Sequence, residues 1–165
     1  MTLRISKISL VFAVALFYSF VVFNNLTDYD SNFQFIRHVM MMDSTFPANH
    51  GMWRAINQPW LHTVLYISII AWEFLTMALC WWGAIVLAKA LRLSAAAFHL
   101  AKQVAVAALT LSLVMWLVAF LSIGAEWFLM WQSKTWNGQE PAFRMFVVIG
   151  LVLLLVSQPD SETQP

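Results

Sequence analysis

Four long apolar runs leave this chain few ways to fold. They lie at about residues 5–23, 62–87, 103–125 and 142–156. At about 1.5 Å per residue the first nearly matches a hydrocarbon core of about 30 Å, and the second and third exceed it. Inside lipid every backbone N–H and C=O needs an internal partner, so such runs become helices. The expected fold is all-α: a polytopic membrane protein, a four-transmembrane-helix bundle with an amphipathic periplasmic lid helix. The charged fraction agrees, at 10% of 165 residues, against about 25% in soluble domains. Residues 1–165 read as one membrane domain. It has an outer loop at 24–61, an inner connection at 89–102, an outer turn at 126–141 and a tail at 157–165.

The ends of the runs carry their own signals. Arg4 and Lys7 before an apolar run also describe a signal peptide. This run ends in Phe-Tyr-Ser-Phe-Val-Val-Phe with no small-residue cleavage site, so it reads as an uncleaved first span. The fourth run is short; Arg144 can snorkel at one end, and Ser157-Gln158-Pro159 stops it at the other. Pro141 suits the first position of its helix. Asp160 to Pro165 reads as a small free tail.

The polar stretch between the first two runs, Asn24 to Asp43, is the densest in polar and aromatic residues. Ser31-Asn32-Phe33-Gln34 fits a capping box, which predicts a short helix from there. Along it Gln34, Arg37 and His38 fall on one face and Phe33, Ile36, Val39 and Met40 on the other, as in a lid on a bundle end. Trp53 and Trp60 suit headgroup depth. With the N-terminus inside, Arg4, Lys7, Lys89, Arg92 and Lys102 fall in short cytoplasmic segments. The positive-inside rule then places both termini in the cytoplasm of a multi-pass inner-membrane protein.

The net charge of +1 provides no basic field for nucleic acid. The single cysteine, Cys80, excludes an internal disulfide. The loop offers Asp28, Asp30, His38, Asp43 and His50, with His62 just beyond it. Carboxylate and imidazole are transition-metal ligands, so His38, His50 and His62 are the metal candidates; caps and turns account for the same acids. His38 and Asp43 are five apart, a spacing that does not share a face on an unbroken helix. His62 and His99 lie at opposite ends of the spans, which argues against a bis-histidine haem. No cofactor and no catalytic residue are assigned.

Glu73 lies about 16 Å along the second span, near the bilayer midplane. Acidic groups at that depth are functional candidates by default. Tyr18 and Ser19 on the first span lie at similar depth and are its expected hydrogen-bond partners, and Glu126, near the outer end of the third span, is expected either to pair with Arg144 or to face water.

Asn24 to Asp43 (NNLTDYDSNFQFIRHVMMMD), Trp53-Arg54-Ala55-Ile56 and Ile70-Ala71-Trp72-Glu73 together resemble a bacterial family of predicted small integral membrane proteins, a domain of unknown function. The resemblance implies a four-helix inner-membrane protein with this outer loop. Its motif residues here are Asn25, Asp28, Tyr29, Asp30, Asn32, Phe33, Arg37, His38, Asp43, Trp53 and Arg54. It carries over no activity. Two functions are therefore expected. One is a non-catalytic accessory or scaffold subunit, embedded in the bilayer and docking a membrane-protein partner or a second copy through its aromatic, Met-rich loop. The other is a small proton or solute pathway, or a membrane enzyme, using Glu73 and a periplasmic metal site.

Overall fold

The computed structural model describes residues 1–161; residues 162–165 of the expected tail lie outside the described residues. Four helices are long and apolar enough to cross a membrane: Thr2–Thr27, Pro59–Ala90, Ala95–Trp127 and Gln139–Ser157. No strand occurs among the described residues. The chain runs as α1 (Thr2–Thr27), α2 (Tyr29–Met41), a 3-10 turn at Met52–Arg54, and α3 (Pro59–Ala90). It continues as α4 (Ala95–Ala101), α5 (Gln103–Val114), a π-helical segment Met115–Trp127, a 3-10 turn Met130–Gln132, and α6 (Gln139–Ser157). The helices overrun the apolar runs because their polar ends find partners. Pro141 is the third residue of α6, not the first.

The chain forms two compact units. Of the described residues, the terminal unit holds 1–21, 73–113 and 147–161, and the loop unit holds 22–72 and 114–146.

In the terminal unit, segments of α1, α3, α5 and α6 pack together around Val11, Ala15, Cys80, Ala105 and Ala108, which are all buried. Lipid provides no hydrophobic drive between helices, so close van der Waals contact has to hold them. Gly83 allows it: a Cβ there would lie 2.8 Å from Ala105 Cα. Phe12 meets Trp81 edge-on at 5.0 Å. The Trp81 indole donates to Ser19 Oγ at 2.9 Å.

In the loop unit, a single residue, Asp28, separates the end of α1 from the start of α2. The expected capping box does not form. Asp28 is the cap residue, without a side-chain cap bond. Ser31 Oγ donates to Asp28 Oδ1 at 2.9 Å, and Gln34 Nε2 donates to Asp30 Oδ1 at 3.1 Å. Carboxylates are the stronger acceptors, and the Asp28 N–H is already taken by Asn24 O at 2.8 Å. The apolar face of α2 does pack inward. Val39, Met40 and Met42 form a core with Ala125, Phe128 and Met130. Met42 closes the helix in the left-handed region, φ 53°, its N–H bonded to Val39 O. That conformation costs a non-glycine residue roughly 1–2 kcal/mol; burial of the Met42 side chain to 2% exposure offsets it. The Met-rich stretch therefore builds core more than contact surface.

The π segment spans 13 residues. Its wider turn shows in Phe128 N–H bonding Ile123 O at 2.9 Å and Ser122 Oγ bonding Leu117 O at 2.9 Å, each five residues back. Runs of this kind are rare and are usually a single turn. Leu129, at φ 55°, ends it.

Candidate functional site

The densest polar site in the terminal unit was not expected from the sequence. The tail read as free is anchored at Asp160, whose side chain is 1% exposed. Lys7 Nζ donates to Asp160 Oδ1 at 2.9 Å and to Gln158 O at 2.6 Å. Lys102 Nζ pairs with Asp160 Oδ2 and donates to Gln158 O at 2.6 Å. Gln158 O lies just past the end of α6, where carbonyls lack intrahelical partners and the dipole favours cations. Arg4 does the same work for α3, donating to Leu91 O at 3.1 Å and Leu93 O at 2.6 Å. It also donates to Ser161 O at 3.1 Å and stacks over Phe98 at 4.8 Å. Burial pushes the Asp160 carboxyl up, but the bonds and charges of Lys102 and Lys7 outweigh this and hold it below the usual carboxylate range. Three cations and one carboxylate thus tie the start of α1, the α3–α4 turn, the α4–α5 junction and the end of α6.

Glu73 is 4% exposed in the terminal unit, and Thr76, one turn on, is fully buried. Tyr18 is buried too, its hydroxyl 2.6 Å from Ser112 Oγ on α5. Ser19 donates to Ala15 O at 2.8 Å and accepts from Trp81, so its hydroxyl is not spent on Glu73.

The loop-motif residues lie in the loop unit and mostly tie its pieces together. Asn25 is buried, its side-chain oxygen accepting from the Tyr66 hydroxyl at 3.2 Å. Tyr29 stacks on Phe33 and meets Tyr66 edge-on at 4.7 Å. Asn32 and Arg37 are exposed; Arg37 reaches Gln34 at 3.4 Å. His38 Nδ1 lies 2.7 Å from Asp43 Oδ2, and its ring stacks on Trp136 at 4.7 Å. Five residues separate them, yet they meet because the turn at Met42 bends the chain back. Arg54 donates to Trp127 O at 2.9 Å, with the Trp53 and Trp127 rings at 5.6 and 5.4 Å. Glu126 receives Arg54 through its backbone. Arg144 pairs with Glu140 one turn away rather than with Glu126, a local helix pair on an exposed face.

The three metal candidates do not form a ligand set. His62 is 2% exposed and donates from Nε2 to Ile56 O at 2.7 Å. His50 is exposed, and His38 faces Asp43. Among the described residues no three His, Cys, Asp or Glu side chains converge.

The loop unit also holds a cavity of about 240 Å³ between α2, α3 and the π segment. Its wall is almost wholly apolar. The hydroxyl on it, Ser68, turns back to Val64 O at 2.8 Å. No acid, base or nucleophile among its lining residues faces a substrate there.

Neither a search of curated proteins nor one of solved structures returns a match. The family described as predicted small integral membrane protein (DUF2165) matches residues 3–159. With that match over nearly its whole length and four helices able to cross a bilayer, the chain belongs to this family of small integral membrane proteins.

Proposed function

We propose that the protein is a non-catalytic accessory subunit of an inner-membrane assembly, with both termini cytoplasmic and the 24–61 loop periplasmic. One observation carries this reading: an exposed aromatic surface assembled from two separate loops that hydrogen-bond to each other. Trp53 is 75% exposed and Phe46 53%. Phe46 meets Trp131 edge-on at 5.7 Å, and Trp53 meets Trp127 at 5.7 Å. The loops are pinned by Phe46 N–H to Gln132 Oε1 at 3.1 Å and Ser44 to Ser133 at 2.7 Å. Pre-organised, exposed Trp side chains are the usual anchors of protein interfaces. The orientation is supported by the short basic segments holding Arg4, Lys7, Lys89, Arg92 and Lys102. Purification in mild detergent tests the role. A stoichiometric membrane partner, lost in Trp53→Ala and Trp131→Ala, is expected. A lone protein whose Trp variants change only its seating in vesicles would assign these rings to an interfacial belt instead. A cytoplasm-only reporter fused to the C-terminus should be active.

A second reading rests on Glu73, a buried carboxyl in a span. If it relays protons or meets a cationic solute, Glu73→Gln abolishes function in a folded protein. If it is structural, Glu73→Gln behaves as wild type and Glu73→Leu destabilises the chain.

A further inference from the structure

The cavity in the loop unit has the chemistry of a hydrocarbon site. Phe35 and Met40 of α2, Leu65 and Ile69 of α3, and Ala119 and Ile123 of the π segment shape it. A buried water needs two to four polar partners, and this wall presents almost none. At about 240 Å³ it falls below the roughly 300–1,000 Å³ of sites that engulf a whole drug-sized ligand. That volume suits one flexible, unbranched segment. Its mouth opens among exposed apolar residues of the candidate membrane spans: Leu65, Val118 and Ile123 line it and are themselves 39%, 42% and 46% exposed. Beside them Val64 and Ile67 on α3 and Leu117 on the π segment are exposed on candidate membrane spans. The π segment is a second, independent sign. Its wide turn forms one wall, and π-helical departures recur at functional sites.

We propose that this cavity binds one acyl chain of a membrane phospholipid, drawn in from the bilayer and held between α2, α3 and the π segment. The driving force is apolar burial against aromatic and aliphatic walls, with the chain's flexibility matching an irregular slot. The headgroup stays outside, so selectivity falls on the chain. The cavity shares no lining residue with the aromatic pairs of the docking surface, and the two succeed or fail separately.

The test uses the full chain in vesicles of phosphatidylethanolamine and phosphatidylglycerol containing a phospholipid with a photoactivatable diazirine in mid-chain. Adducts are mapped by mass spectrometry. Ser68, Ile69 and Ala119 should be labelled several-fold more than Leu151 and Leu154, which are 56% and 65% exposed on α6. Ala119→Trp should fill the slot and reduce cavity labelling to the level of Leu154. Ser68→Phe, at an exposed position on the cavity wall, provides the same block if the first variant does not insert. Trp53→Ala, which tests docking, should leave the pattern unchanged. Even labelling over all exposed apolar positions in the wild type would overturn the proposal, as would full cavity labelling in both filled variants. A stoichiometric non-phospholipid hydrocarbon in the solvent extract would overturn the assignment to phospholipid.

Discussion

Replacing Asp160 by Asn should be among the most damaging single changes in the terminal unit. The carboxylate lies 2.9 Å from Lys7 Nζ and also contacts Lys102, with all three side chains 1–3% exposed. At an effective dielectric of about 20, one unit pair at that separation is worth about 6 kcal/mol. Part of this is cancelled by repulsion between the two ammonium groups and by desolvation. Deleting one member of such a buried set typically costs about 3–5 kcal/mol, because the remaining charges stay buried and uncompensated. Asn keeps the shape but leaves two ammonium groups sharing the Gln158 carbonyl. At about 2–4 °C per kcal/mol, thermal unfolding in detergent should shift down by roughly 6–20 °C. Carboxypeptidase should also reach the tail faster. The combined replacement Lys7→Met, Lys102→Met, Asp160→Leu should lose less than Asp160→Asn, since it removes charges and partners together. Melting and tail protection in Asp160→Asn indistinguishable from wild type would refute the reasoning.

Three further outcomes are expected. Because the folded-state Asp160 carboxyl lies below its ordinary value of about 3.9, it contributes stability above that pH and loses it as pH falls through the folded value. Protease protection of the tail should therefore hold from neutrality to about pH 4 and fall below it, with no such step in Asp160→Asn. Gly83→Val should disrupt the α3–α5 contact, since its Cβ meets Ala105 backbone at 2.8 Å. Overpacking of this kind costs about 1–3 kcal/mol and would be read as a lowered melting temperature. Tyr18→Phe removes the bond to Ser112 Oγ, a loss that should by itself cost about 0.6–2 kcal/mol, the range for interhelical hydrogen bonds in membranes.

The four spans were legible because hydrophobic length is a one-dimensional signal that lipid enforces. So was the inward face of α2, where Ile36, Val39 and Met40 fall at i, i+3 and i+4. Its start was misread because a capping box and a pair of side-chain bonds to Asp28 and Asp30 use the same residue types. The π segment left no trace in the text. Where every residue from Met115 to Ala125 is apolar or small, no polar stripe reports the period. Arg144 chose the carboxylate one turn away over one 18 positions back, as short loops favour local pairing. Asp160 lay beyond a proline in a polar ending, and nothing local pointed to lysines elsewhere in the chain.

The Lys7–Asp160 pair also sets a clock. Its members are 153 residues apart in the chain. At roughly 5–20 residues per second of synthesis, the lysine waits on the order of 8–30 s for its counter-ion to be made. During that interval an inserted but unfinished chain carries an unneutralised lysine near the start of its first helix. A chain stalled before Asp160 keeps it so, and differs electrostatically from a finished one at that end of the helix.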